Sequence, residues 1–155
     1  MIQRIQTLYL FIVTVLMVVM AFLPLATVIV DDNTLYTLVA FGVKPLEGGA
    51  LVSTIWALFA IEAIVALISF ITIFLFRKRI LQIRITVFNI LLMIGFYGLF
   101  IYLVFNPNYL ISGDNISFTY KFALCFPIVS MILSYLAIRN IGADEALVRS
   151  LDRLR

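Results

Sequence analysis

The chain is predicted to be an all-α membrane protein. The expected form is a four-transmembrane-helix bundle with N and C termini cytoplasmic and a small antiparallel β-sheet formed by the two outer loops. Three observations predict this. Of the 155 residues, 65% are hydrophobic and only 12% charged, with a mean hydropathy of +1.18, well outside the composition of water-soluble domains. Four apolar runs each reach the roughly 20 residues that a helix needs to cross a hydrocarbon core of about 30 Å. Basic residues gather beside alternate ends of those runs, as orientation signals do. Four spans occupy most of the chain and leave one membrane domain, 1–155.

The first span is read over 5–25, where apolar residues are interrupted by Gln6, Thr7 and Thr14 and Pro24 halts the run. Its apolar length exceeds that of a cleaved signal core, so it is expected to be retained. The second, third and fourth spans are placed at 51–76, 85–105 and 119–138. Long uninterrupted runs of this kind exclude the short alternating strands of a transmembrane barrel.

Orientation follows from nine basic residues on one side (Arg4, Arg77, Lys78, Arg79, Arg84, Arg139, Arg149, Arg153 and Arg155) against Lys44 and Lys121 on the other. The richer side is assigned to the cytoplasm.

The outer β-hairpin is expected over 25–43. Leu25 to Val30 and Leu35 to Phe41 are rich in strand formers, and Asp31, Asp32 and Asn33 supply a turn. The second outer loop, 106–118, repeats the pattern with Tyr109 to Ile111, a turn over Ser112 to Asn115, and Ile116 to Thr119. Pro45, Gly48 and Gly49 mark the return to the membrane. Beyond the fourth span, residues 142–155 carry acids first and bases last and place Leu147, Leu151 and Leu154 on one helical face. A separate amphipathic cytoplasmic helix is expected there, on the membrane surface or on a partner.

Glu62 is the outstanding polar residue. Eleven residues into a span beginning at Leu51, it falls about 17 Å deep. An ionised acid there costs about 3 kcal/mol, so protonation, a hydrogen bond or nearby water is expected. Its helical face includes Ile55, Phe59, Ala66, Ser69 and Ile73. Thr14, Tyr97, Cys125 and Ser130 lie at similar depth, with Tyr97 or Ser130 expected to supply the hydrogen bond. Asn89 suits an interhelical hydrogen bond worth about 1 kcal/mol. Ser130 and Ser134, with Ala123 and Ala137, suit close helix packing, as do Gly95 and Gly98, while Pro127 is expected to kink the fourth helix.

Lys121 is placed at the outer end of the fourth span, where it snorkels. Arg77, Lys78, Arg79 and Arg84 form a basic cluster suited to anionic headgroups or a partner. Tyr9, Trp56, Tyr102, Tyr109 and Tyr120 suit the interface.

No phosphate loop, nucleophile elbow, HExxH or CxxC motif occurs, and the chain has no histidine. No enzymatic activity, metal or cofactor is expected, and the basic residues flank spans rather than forming a nucleic-acid surface. A single cysteine excludes a disulfide within the chain. The expected partners are membrane lipids and a protein partner or a second copy. Two roles follow: a scaffold or accessory subunit of a membrane complex, or a small proton- or ion-coupled transporter or channel using Glu62.

The opening residues Met1 to Leu10 and the closing residues Asp144 to Arg155 resemble a family of small four-helix integral membrane proteins of unknown function from Bacteroidota-type bacteria. The resemblance covers the whole chain and implies a bacterial inner-membrane location, without implying catalytic residues. In layout, four helices with a strand-rich first outer loop also look like claudin-type proteins. That family's loop tryptophan and paired cysteines are missing here, so its function is not carried across.

Overall fold

The computed structural model describes residues 2–30, 34–76, 78–111, 113 and 115–152. It contains four long helices, α1 (Ile2–Met20), α2 (Trp56–Phe74), α3 (Arg79–Phe105) and α4 (Cys125–Asp152). Five strands accompany them: β1 (Ala26–Val30), β2 (Thr34–Val39), β3 (Gly42–Pro45), β4 (Ser53–Thr54) and β5 (Ile116–Tyr120). The helices pack as a ring, α1 between α2 and α4, and α3 closing the far side.

Buried positions recur at alternating spacings of three and four. They are Gln6, Leu10, Val13, Met17 and Met20 on α1, and Gln82, Thr86, Asn89, Met93, Phe96, Phe100 and Leu103 on α3. This is the seam spacing of helices that run side by side. The opposite faces carry large apolar side chains to the outside, among them Leu8, Phe11, Leu67, Phe70, Phe88, Leu91 and Ile132. The bundle thus carries large apolar side chains on its exterior as well as in its core, and Gln, Thr, Ser, Asn and Glu side chains are buried among the core residues. Three helices, Trp56–Phe74, Arg79–Phe105 and Phe122–Val148, are long and apolar enough to cross a membrane, and α1 contributes a shorter apolar stretch, Ile5–Met20.

The sheet has the order β4-β3-β2-β1-β5, antiparallel throughout. Strand β1, next to the β5 edge, pairs Val28 with Tyr36 on one side and with Phe118 on the other. Ala26, Val28 and Val30 point into the core, while Thr27 and Ile29 alternate outward. The sheet covers the bundle end where Met20, Leu58, Phe100 and Leu103 complete the apolar core. Both strand-bearing loops thus contribute to one sheet, larger than the paired hairpins expected. The turn residues Asp31, Asp32, Asn33, Ser112 and Asp114 lie outside the described residues.

Several boundaries differ from those read in the sequence, each for a local reason. Helix α1 stops at Met20 rather than Leu25: Pro24 has no N–H to give the Met20 carbonyl, which accepts instead from Leu23 in a tightened final turn. Helix α2 begins at Trp56 rather than Leu51 because Ser53 and Thr54 are taken by β4. Helix α3 begins at Arg79, six residues earlier than placed. Tyr109 lies in a short 3₁₀ turn, Pro107–Tyr109, and is not a strand residue.

The fourth helix starts at Cys125, because 116–120 form β5 and Phe122–Leu124 a second 3₁₀ turn. Lys121 therefore sits in the connection, outside the helix, where its N–H donates to the Leu25 carbonyl. Pro127 becomes the third residue of α4 and breaks no helical hydrogen bond, so the expected mid-helix kink has no cause. The expected separate tail helix is the uninterrupted continuation of α4 to Asp152. Gly95 and Gly98 face open space and are not close-contact positions.

Gly42 has a conformational role, with φ of +150° at the first residue of β3, and a Cβ there would come within 2.1 Å of the Ser53 carbonyl. Gly48, at φ +88°, has nothing within 4 Å. Gly42→Ala is expected to lose about 2–3 kcal/mol by strain and collision with backbone. Gly48→Ala should lose about 1 kcal/mol from φ alone. Unfolding midpoints in detergent check the order, and equal losses would refute it.

Candidate functional site

The buried seams divide along the bundle axis. Away from the sheet, Gln6 on α1, Ser69 and Thr72 on α2, and Gln82, Thr86 and Asn89 on α3 form a polar half. Toward the sheet the seams become Val13, Met17, Met20, Leu58, Met93, Phe96 and Phe100. In the polar half, Asn89 Nδ2 donates to Ser69 Oγ at 2.7 Å and Gln82 Nε2 to the Thr72 carbonyl at 3.3 Å, joining α3 to α2. Thr72 and Thr86 donate to carbonyls one turn back, which satisfies each hydroxyl on its own helix. Asn89 thus makes the interhelical bond its sequence position suggested.

Glu62 does not belong to that polar half. Because α2 starts at Trp56, Glu62 lies six residues in, about 9 Å from the sheet-proximal helix end and not the 17 Å inferred from a start at Leu51. It is 1% exposed, and neither carboxyl oxygen has a hydrogen-bond partner. The two partners expected from the sequence are occupied elsewhere or unengaged. Tyr97 donates its hydroxyl to the Leu124 carbonyl at the start of α4, and Ser130 Oγ is buried without a partner, as is Ser134 Oγ. The four residues Glu62, Tyr97, Ser130 and Asn89 therefore do not form one network. Cys125 is exposed.

Glu62 instead lines a groove of about 470 Å³ between α1 and α2, whose walls include Thr14, Met17, Ala21, Phe59, Ala63 and Phe70. Ala21, Ala63 and Ala66 supply the space, and Phe59 is held by stacking on Phe41 of the β2–β3 turn, centroids 3.9 Å apart. The groove opens sideways, past exposed Val18, Phe22 and Leu67, and not along the bundle axis. No sequence periodicity distinguishes this opening from the other helix seams, since it is lined by Ala21 just past the end of α1 and by Ala63 and Ala66 of α2.

At the opposite end, Arg79 pairs with Asp144, Nη2 to Oδ2 at 3.1 Å, and its Nη1 reaches the Asp144 carbonyl. Both side chains are about one-fifth exposed, so the pair orients α3 against α4 more than it stabilises them, at about 0–1 kcal/mol. Beside it lies a second groove of about 740 Å³, lined by Phe76, Lys78, Arg79, Arg84, Glu145 and Val148. The basic cluster is thus built on the first turns of α3. Leu147 is exposed on the projecting part of α4. Arg77 and Leu154 lie outside the described residues, as does the Leu151 side chain.

Aromatic residues mark the sheet-side helix ends: Phe22, Trp56, Tyr102, Phe105, Tyr109, Tyr120 and Phe122 are all well exposed. Tyr102 and Tyr109 stack with centroids 6.0 Å apart. Tyr9 lies within α1, only partly exposed and away from that ring.

Residues 2–154 match a family model described as Domain of unknown function (DUF4293). No curated protein matches the chain.

The Asn89–Ser69 bond gives a direct test of the polar half. Ser69→Ala leaves a buried amide without its acceptor and is expected to lose about 1–2 kcal/mol. Combining it with Asn89→Leu should recover part of that loss, giving a coupling of about 1 kcal/mol in detergent unfolding. Additive losses would mean that the bond contributes nothing.

Proposed function

We propose that this chain, a member of the DUF4293 family of unknown function, is a four-pass protein of a bacterial inner membrane, with both termini cytoplasmic. In this reading it serves without enzymatic activity as a scaffold or accessory subunit of a membrane complex. The observation that carries the proposal is the continuous α4. Its 28 residues span about 42 Å, some 12 Å more than a hydrocarbon core. The excess projects beyond the Arg79–Asp144 pair as a helix with Leu147 and Val148 uncovered. An uncovered apolar helical face is a common docking element.

Support for four crossings comes from the packing of α1 beside both α2 and α4, with Ile5, Leu8, Phe11 and Val15 turned outward. Support for the orientation comes from the basic count and from the aromatic ring at the sheet end. Lys78 and Arg84, beside apolar Ile80 and Leu81, suit anionic headgroups of the inner leaflet.

A second reading has one specific observation in its favour. Glu62, its carboxyl buried and unpartnered, lines a groove open to the outside of the bundle, which is compatible with proton- or ion-coupled transport. Against it, the groove runs sideways and its lining is nearly all apolar.

In a background with Cys125 replaced by Ala, a membrane-impermeant maleimide on intact spheroplasts is expected to label Glu47→Cys and not Ser150→Cys. The reverse pattern would invert the topology. Gentle purification from the native host is expected to retain a stoichiometric protein partner, which is lost when the chain is truncated after Ile141 while the truncated protein stays monodisperse. A full-length protein that purifies alone would overturn the subunit reading. Loss of proton-coupled flux in liposomes with Glu62→Gln would then establish the second.

A further inference from the structure

The α1–α2 groove combines three properties that no other part of the described structure brings together: a fully buried carboxyl without a partner, a sideways opening, and an otherwise apolar lining. We propose that it binds a hydroxyl-bearing lipid, an uncharged membrane-dissolved molecule whose O–H donates to the Glu62 carboxyl while its apolar body lies along Met17, Ala21, Ala63 and Ala66. Diacylglycerols and isoprenoid quinols both have this chemistry. The inference stands apart from the subunit reading and holds whether or not a protein docks on α4.

Dimensions argue for a slender ligand. The lining runs from Thr14 on α1 to Phe22 just past its end and from Phe59 to Phe70 on α2, about 12–17 Å, close to the roughly 15 Å of one hydrocarbon leaflet. The volume of about 470 Å³ is in the range of small-molecule sites. A helix of about 10 Å diameter would have to ride on its rim.

Chemistry selects the hydroxyl. Glu62 offers lone pairs and, when protonated, one O–H, both of which a hydroxyl can match, and the surrounding lining offers no free donor, because the Thr14 hydroxyl is committed to the Leu10 carbonyl at 2.9 Å. No cationic side chain lines the groove, so an anionic headgroup would find no counter-charge. A bare cation or ammonium would have to leave water for the hydrocarbon at high cost. Water is disfavoured in turn, since an ordered molecule needs two to four polar partners and the carboxyl is the main one present. A hydroxyl on an apolar body enters from the lipid phase without those penalties and satisfies an otherwise unmet buried acceptor.

The test uses the full chain in proteoliposomes and dicyclohexylcarbodiimide, an apolar reagent for buried carboxylic acids. The acid oxygen adds to the carbodiimide carbon, the acid proton moves to one nitrogen, and acyl migration leaves an N-acylurea that mass spectrometry locates. Wild type should be labelled at Glu62. Glu62→Gln should not, and Ala63→Phe, which fills the groove and leaves the acid in place, should be labelled about tenfold less. Ala63→Leu serves if the phenylalanine variant does not fold.

Diacylglycerol and an isoprenoid quinol, added in separate arms, are expected to protect. Their O-methyl ethers should protect about fivefold to tenfold less, as loss of one buried hydrogen bond requires. Protection in one arm only identifies the source of the hydroxyl. Ethers that protect equally, hydroxyl lipids that protect in neither arm, or an unlabelled Glu62 in monodisperse wild type would each overturn the proposal.

Discussion

The two-sided pairing of β1 is the constraint on which the rest of the structure depends. A strand between α1 and the remainder of the chain pairs with β2 from its own loop and with β5 from a loop 86 residues further on at Ile116, counted from Val30, its partner. That pairing ties the end of α1, the entry to α2 through β3 and β4, and the entry to α4 to one rigid plate. Backbone groups at the helix ends are thereby satisfied within the protein. Lys121 N–H reaches the Leu25 carbonyl, Leu25 N–H the Leu38 carbonyl and Ile55 N–H the Phe41 carbonyl. The apolar half of the bundle packs beneath this plate, so the sheet closes the core where the helix seams would otherwise be open.

The other half follows a different logic. In lipid the helix exteriors gain nothing from burying apolar side chains against one another, so association relies on close packing and on hydrogen bonds within the bundle. Asn89 to Ser69 and Gln82 to the Thr72 carbonyl supply such bonds between α2 and α3, and the Arg79–Asp144 pair continues the link where α3 and α4 leave the bundle. Glu62 stands apart from those bonds, an acid in the apolar half whose carboxyl oxygens have no hydrogen-bond partner. A buried acceptor left unmatched is costly, and Glu62 lines a groove that opens between α1 and α2.

Much of the architecture was legible from residues alone. Composition and run length determine membrane-type helices, because the hydrocarbon thickness sets a length that few soluble segments meet. The β-branched run from Ala26 to Val30 and the strand formers from Ile116 to Tyr120 mark the sheet, and the depth of apolar sequence around Glu62 marks it as the unusual polar residue. Boundaries were less legible. Phe118, Thr119 and Tyr120 suit a strand or a helix entry equally well, and only their pairing with Val28, Thr27 and Ala26 decides for the strand. That choice moves the start of α4 and turns Pro127 from a kink into a first-turn residue.

What the sequence by itself determined is the class of molecule: apolar helices, a strand-forming outer surface, basic ends, and one acid out of place. Tertiary structure decided which side chains meet. Tyr97 and Ser130 share a depth range with Glu62 along the chain, yet Tyr97 turns to the Leu124 carbonyl and Ser130 is left unpaired. The groove is lined by Ala21, just past the end of α1, and by Ala63 and Ala66 of α2. The physical reason is that helical spacing specifies depth and face within one element. Rotation and offset between elements are set by packing over the whole bundle, and in this chain by a strand pairing between two loops far apart in sequence.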